Sequence, residues 1–338
     1  MPSFERDSHR IVIAGASSLL GAELKSLLEE SRFASWDLRL VDEEVAAGTL
    51  TEAGGEPAVI QPVEEGSFDR ARLIFFTGSP EFSKANLSAA RHTDSHVVDL
   101  TGAALEGADD TPAVAWFPKL DSLRGEVSPL NGRLFGVPSA AATATSALAL
   151  ALSKLGPVRM SVVHFHPVSE AGRAGIEEME AQTGELLSFQ PFGQPVFDTQ
   201  VAFNMLDRFG AGSRQKLRNV GERIHGEVNA CVKKKVALPA VQVLHAPVFY
   251  GATFSACAQV DALDGQKIAE VCREADFVMV LEGEAGPSNA SVAGENPIFL
   301  AQPKHDTSEM NTWWFWGAAD NIRLPTWNAV KLAEKLMT

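Results

Sequence analysis

The sequence predicts an α/β protein in which a parallel-sheet domain is followed by a mixed α+β domain. Three observations carry this. The 338 residues are too many for one hydrophobic core of ordinary size. The N-terminal part alternates short apolar runs with helical periodicity, and the C-terminal part has longer alternating strands with helices between them.

Arg10–Ala14 is a β-branched run closed by Gly15, and Leu19, Leu20, Leu24, Leu27 and Leu28 then recur at helical spacing, so strand, tight turn and helix follow one another. Apolar runs at 38–41, 73–76 and 97–100, with a helix-like stretch at 83–91, continue the alternation expected of βα units. The first 135 residues therefore read as a nucleotide-binding domain. Ala140–Leu155 is an Ala- and Leu-rich helix stopped by Gly156-Pro157. Strands are expected at 159–166 and over 241–260, the latter interrupted near Pro247 and Gly251, with helices at 175–187 and 213–228 between them. Residues 282–296 read as a loop, and 325–336 as an amphipathic helix with proline in its first turn.

Composition narrows the function. Hydrophobic residues make up 45% and charged residues 21%, which suits a compact globular chain. The 43 acidic against 29 basic side chains give a formal charge of −14, unfavourable for nucleic acid and for anionic membranes. Lys233, Lys234 and Lys235 form a basic run that reads as a solvated turn. The opening MPSFERDSHR lacks the apolar stretch of a secretory signal, and no apolar segment is long enough to span a bilayer, so a cytoplasmic protein is expected. Cys231, Cys257 and Cys272 are odd in number and widely spaced, which points to buried reduced thiols rather than disulfides or a zinc site. His164 and His166 share one strand face, but without an evident third ligand no metal is expected.

The turn Gly15-Ala16-Ser17-Ser18-Leu19-Leu20-Gly21 lies where a pyrophosphate would meet glycine backbone and a helix N-terminus. Ser18 stands at the middle glycine position, where its side chain narrows the approach and offers a hydroxyl donor; a turn that binds nothing is the alternative. Asp42, at the end of the second strand, is placed to accept hydrogen bonds from ribose hydroxyls and to repel a 2′-phosphate, which favours NAD over NADP. Solvated carboxylates after a strand would look the same.

Five landmarks in order, Ile13-Ala14-Gly15-Ala16, Pro167 through Gly175, Gln200 through Asn204, Ala246 through Gly251 and Ala319 through Arg323, give the chain a resemblance to the aspartate-semialdehyde dehydrogenase family over nearly its whole length. The resemblance implies a Rossmann-type domain at 1–135, a catalytic and dimerisation domain at 136–320, and a helix at 321–338 that returns to the first domain. It also implies a homodimer. Family members attack an aldehyde with a cysteine thiolate and resolve the resulting thioester with phosphate, chemistry that needs a soft, ionisable nucleophile.

By that resemblance the nucleophile falls on Ala140, and Ala141, Ala142 and Thr143 offer no thiol either. The acid/base histidine falls on Ala252, whose methyl group can neither take nor return a proton. The arginine for the substrate carboxylate falls on His245, the glutamate for its ammonium on Val220, the phosphate-site arginine near Leu105, and the glutamine that orients intermediates on His166. The nucleotide contact at Asn321 is retained. The implied protein keeps the fold, with Gly15, Ser17, Ser18, Leu19, Leu20, Gly21, Asp42 and Asn321 as cofactor contacts, but lacks the thiol-dependent activity. It then acts by binding a dinucleotide or a partner, including an active relative. The alternatives are an oxidoreductase working on another carbonyl compound through His166 or His245, and a structural partner with an empty cleft.

Cys257 stands five residues past Ala252, but strand alternation sets it on the other face. Ser139 lacks the Gly-x-Ser-x-Gly elbow of a hydrolase. Trp313, Trp314, Phe315 and Trp316 read as sheet or dimer-interface residues rather than a stacking platform, and Arg173, Glu177, Glu178 and Glu180 as the exposed side of a helix.

Overall fold

The computed structural model describes residues 9–106, 113–126, 130, 132–261 and 264–338; the charged opening at 1–8 lies outside them. These residues divide into two units. One contains the described parts of Met1–Pro118, Ser128–Pro138 and Pro325–Thr338, and the other those of Lys119–Val127 and Ser139–Leu324.

The first unit runs β1 (Arg10–Ala14), α1 (Leu19–Glu29), β2 (Asp37–Asp42), the hairpin β3 (Leu50–Ala53) and β4 (Glu56–Val59), β5 (Gln61–Pro62), β6 (Leu73–Phe76), α2 (Pro80–Arg91), β7 (His96–Asp99), α3 (Ala103–Glu106), β8 (Val114–Ala115) and β9 (Leu134–Gly136). Its sheet has the order β5-β2-β1-β6-β7-β9-β8 and every pairing in it is parallel. Both faces are covered, which is why the strands read as continuous apolar runs. Ile11, Ile13, Leu73 and Phe75 enter one buried cluster, and Val12, Ala14, Ile74 and Phe76 the other. Strand order reverses around β1, so the crevice at its carboxyl end, where Gly15 stands, is the place a parallel sheet offers a ligand.

The second unit runs α4 (Leu120–Arg124), α5 (Ala140–Leu152), β10 (Arg159–His166), α6 (Gly172–Leu187), α7 (Leu217–Val232), β11 (Ala240–His245), β12 (Ala252–Gln259), α8 (Gly265–Arg273), β13 (Val278–Val280), β14 (Ile298–Leu300), β15 (Lys304–His305) and β16 (Thr312–Ala319). Its sheet has the order β11-β10-β12-β16-β14-β13, with β15 added beside β16. The sheet is mixed: β10 pairs parallel with β11 and antiparallel with β12. Every residue of α5 except Ala141 is buried, so the helix is packed on all sides and small side chains are what fit.

The last helix, α9 (Arg323–Leu336), begins two residues before Pro325. Its Ala329, Val330, Leu332 and Ala333 complete the core that contains Ile11 and Ile13. The segment expected as one strand over 241–260 is two strands on opposite sides of β10, since Pro247 and Gly251 let the chain cross over. The helix expected at 213–228 starts four residues later, because Ser213 is held in a turn: its hydroxyl donates to the carbonyls of Val196 and Gln215.

Two side-chain expectations, at Glu178 and Cys257, are corrected. Glu178 is not on the exposed side of α6; it is buried and accepts hydrogen bonds from the Val196 and Phe197 amides. Cys231 and Cys272 are buried, whereas Cys257 is half-buried on the outer sheet face. Trp313 and Phe315 enter the core, while Trp314 and Trp316 stand on the outer face at 45% and 39% exposure. The lysine run 233–235 is exposed, with Lys233 and Lys234 in the left-handed region.

Candidate functional site

The β1–α1 turn is built by close backbone packing. Gly15 has φ +94°, and a Cβ there would lie 2.1 Å from the Gly78 nitrogen; a Cβ on Gly21 would lie 2.5 Å from the Gly15 oxygen. Only glycine fits either place. Ser18 caps α1, its hydroxyl accepting from the Gly21 amide at 2.9 Å and donating to the Thr77 carbonyl at 2.7 Å. The donor that the sequence offered to a pyrophosphate is thus used inside the fold. Asp42 is buried, and its carboxylate accepts from the Ser17 amide at 2.7 Å and the Glu43 amide at 2.8 Å. Leu19 and Leu20 open α1, where amides have no carbonyl one turn back to bond, so they are the donors this turn can present to an anion.

The second unit contains a cavity lined by His166, Val220, Ala252, Ser139, Glu170 and Arg223, among others. It measures about 10 Å³, on a scale where roughly 10–15 Å³ holds one water molecule. Three of the positions singled out in the sequence, His166, Val220 and Ala252, therefore meet at one place. Ala140 is the first residue of α5, between cavity-lining Ser139 and Ala141, and is itself 1% exposed. A helix N-terminus favours a thiolate, and the residue that stands at this one carries a methyl group.

His245 lies in register opposite His166 on the neighbouring parallel strand but does not line the cavity. It is fully buried, with Nε2 3.1 Å from the Val201 carbonyl oxygen and the Phe197 and Phe209 rings beside it. Burial pushes its pKa below the usual histidine range. Desolvation also takes His166 down to about 4, opposed by the negative charge of Glu170, and His164, whose Nε2 lies 2.9 Å from Thr145 Oγ1, down to about 3. All three imidazoles are neutral near pH 7 and poor proton donors.

The three thiols are equally unsuited. Burial pushes Cys231 and Cys272 up to about 12 and raises Cys257 as well. Cys257 pairs across to Trp314 and occupies the sheet face opposite Ala252. Among the described residues there is no group of three or more His, Cys, Asp or Glu that would hold a metal ion.

Sequence reasoning missed three polar residues. Glu227, two helical turns beyond Val220 on α7, is buried, and one oxygen accepts from the Ser139 hydroxyl at 2.6 Å and the Ser139 amide at 3.1 Å. Burial raises its pKa, against the pull of Arg223. Glu170 and Arg223 form an ion pair at 3.5 Å in the cavity wall. Asn321 is buried in the same unit: Oδ1 accepts from the Gly251 amide at 2.8 Å, and Nδ2 donates to Ser169 Oγ at 3.1 Å and Glu170 Oε1 at 3.2 Å. Leu105, placed near a phosphate-site position, packs in the first unit where a Cβ on Gly136 would otherwise be.

Comparison with known proteins gives a consistent picture. Residues 148–324 match the family model described as semialdehyde dehydrogenase, dimerisation domain. A USG-1 protein homolog from Pseudomonas aeruginosa is 30% identical over 97% of each chain. An aspartate-semialdehyde dehydrogenase from Rickettsia bellii is 23% identical over 97% of this chain and 98% of its own. The solved structure of a probable aspartate-semialdehyde dehydrogenase from Pseudomonas aeruginosa superposes with a TM-score of 0.85 at 26% identity, covering 97% of this chain and 98% of that one.

Proposed function

The chain belongs to the semialdehyde dehydrogenase family, and from that premise we propose that it is a member without thiol-dependent dehydrogenase activity that acts by binding. One observation carries the reading: a methyl group at position 140 stands at the head of α5, burial raises the pKa of each of the three thiols, and none of them lines the cavity beside that position. A thiohemiacetal needs a thiolate electron pair at the aldehyde carbon, and a general base to cycle the proton. Ala140 supplies no electron pair. Ala252 supplies no base, and His166 and His245 are held neutral and away from ordinary titration.

The ligand favoured for the first unit is NAD over NADP. The support is the Asp42 carboxylate at the edge of the glycine turn, where a 2′-phosphate would meet like charge. The match to a dimerisation domain supports pairing with a second copy, and pairing with an active relative is the wider form of the proposal. Among the described residues no helix is long and apolar enough to cross a membrane.

The test is turnover. Purified protein supplied with NAD or NADP, aspartate semialdehyde and phosphate is expected to give no reduced nicotinamide above the blank, and Ala140→Cys with Ala252→His is expected to be insufficient to start the reaction. A rate that vanishes on thiol alkylation or in His166→Ala would overturn the reading. Calorimetric titration is expected to show NAD binding more tightly than NADP, and a rise in melting temperature with NAD separates a binding protein from a structural partner.

A further inference from the structure

We propose that Glu170 is an internal ligand: its carboxylate occupies, from within the chain, an anion site formed by Arg223 beside His166, and so keeps small carboxylates out. The inference rests on the reading of this cavity as one that has lost its chemistry, and it says what fills the space.

Glu170, Arg223 and His166 face one cavity whose remaining walls include the apolar Val220 and Ala252. The Glu170 Oε2 to Arg223 Nη2 distance of 3.5 Å is longer than the roughly 2.7–2.9 Å of a tight charge-assisted hydrogen bond. At that distance the pair is in electrostatic reach. Glu170 is held from the other side by a neutral group, Asn321, which donates to Oε1 and is itself fixed by the Gly251 amide. Its place therefore does not depend on the arginine.

His166 is 6% exposed, and its Nε2 has no partner at hydrogen-bond distance; the Gln215 side chain acts on the ring from farther off, and its buried Oε1 has no close partner either. A buried imidazole nitrogen with no close partner, in the wall of a cavity that also holds a guanidinium, is a place that a carboxylate ligand fits. Glu170 brings that carboxylate close enough to act on His166 electrostatically, although it makes no hydrogen bond to the ring. Glu170 already sets one carboxylate beside Arg223. A second would meet like charge and an occupied place, so an external carboxylate binds only in exchange for Glu170. The small volume agrees, since truncating Glu170 frees space for a one- or two-carbon acid.

The experiment measures formate and acetate affinity by calorimetry, at ionic strength held constant with chloride, on the full chain and four variants. Glu170→Ala is expected to bind formate at least ten-fold more tightly than the unaltered protein. Glu170→Gln, which keeps an acceptor for Asn321 and so protects the fold, is expected to gain less because its amide still fills space. Adding Arg223→Met to either variant is expected to abolish the gain. Equal affinity in the unaltered protein and both Glu170 variants would overturn the proposal, as would binding that survives Arg223→Met. A dehydrogenase rate in the unaltered protein would sink the functional reading yet leave these affinities as they are, so the two failures are distinguishable.

Discussion

Ser18 and Ser139 begin their helices in the same way, each hydroxyl accepting from the amide three residues on, and they differ in where the hydroxyl hydrogen goes. Ser18 donates to the backbone carbonyl of Thr77. Ser139 donates to the side chain of Glu227. The first turn is thus made of backbone and of glycines that no other residue can replace, and its shape is fixed by packing. The second site is made of side chains on an intact scaffold, and such groups can change one by one while the fold stays as it was. A family's architecture and its chemistry are held by different bonds.

Four measurements break or sharpen that contrast. The largest effect is expected at Gly15→Ala, where a Cβ would meet the Gly78 backbone at 2.1 Å with φ at +94°. Urea unfolding should show a loss on the order of 4 kcal/mol or failure to fold; a loss below about 1 kcal/mol would mean that the turn is not packing-limited.

Acid should act next, and on the second site. His166 and His164 are neutral in the fold, with pKa values of about 4 and about 3 against an ordinary 6.5. The unfolded chain takes up protons there first, so stability is intact above pH 6.5 and is lost as pH falls toward 4 and then 3. For His166 alone the loss approaches roughly 3 kcal/mol, and His166→Gln should make the profile shallower over that window, with His164 still titrating.

Glu227→Ala should cost about 1–3 kcal/mol, since the Ser139 amide and hydroxyl lose their acceptor. Because burial raises the Glu227 pKa, the fold favours its protonated form, and its contribution is present below the ordinary glutamate pKa and declines as pH rises through the raised one. Glu227→Gln should remove that decline, which denaturant midpoints at several pH values would show. The smallest effect is Ser18→Ala, expected to cost about 1 kcal/mol as a lost cap; a much larger loss would show that the bond to Thr77, and not the cap, secures the turn.

Much of the architecture was legible because periodicity reports burial. The strand at 159–166 alternates and is found at those residues, and β1, its turn and α1 are written in Gly15, Gly21 and the leucine spacing. The start of α7 was not legible, because the turn that delays it depends on Val196, seventeen residues away from Ser213. Of the candidate site, the proposed loss of thiol and imidazole rests on Ala140 and Ala252, which the sequence itself displays. Glu170, Arg223 and Glu227 could not, since a lone charged residue on an amphipathic helix or a turn looks solvated until tertiary structure brings it into a wall. Glu178 misled for the same reason: the amides it accepts from lie in a loop that only the fold sets beside α6.

The placement of α9 has a consequence for synthesis. Its Leu332 and Ala333 close the face of the first sheet that holds Ile11, Ile13 and Phe75. On the ribosome that apolar face stays open while the second unit is translated, a situation that invites chaperone cover. The N-terminal unit, though first to emerge, finishes last.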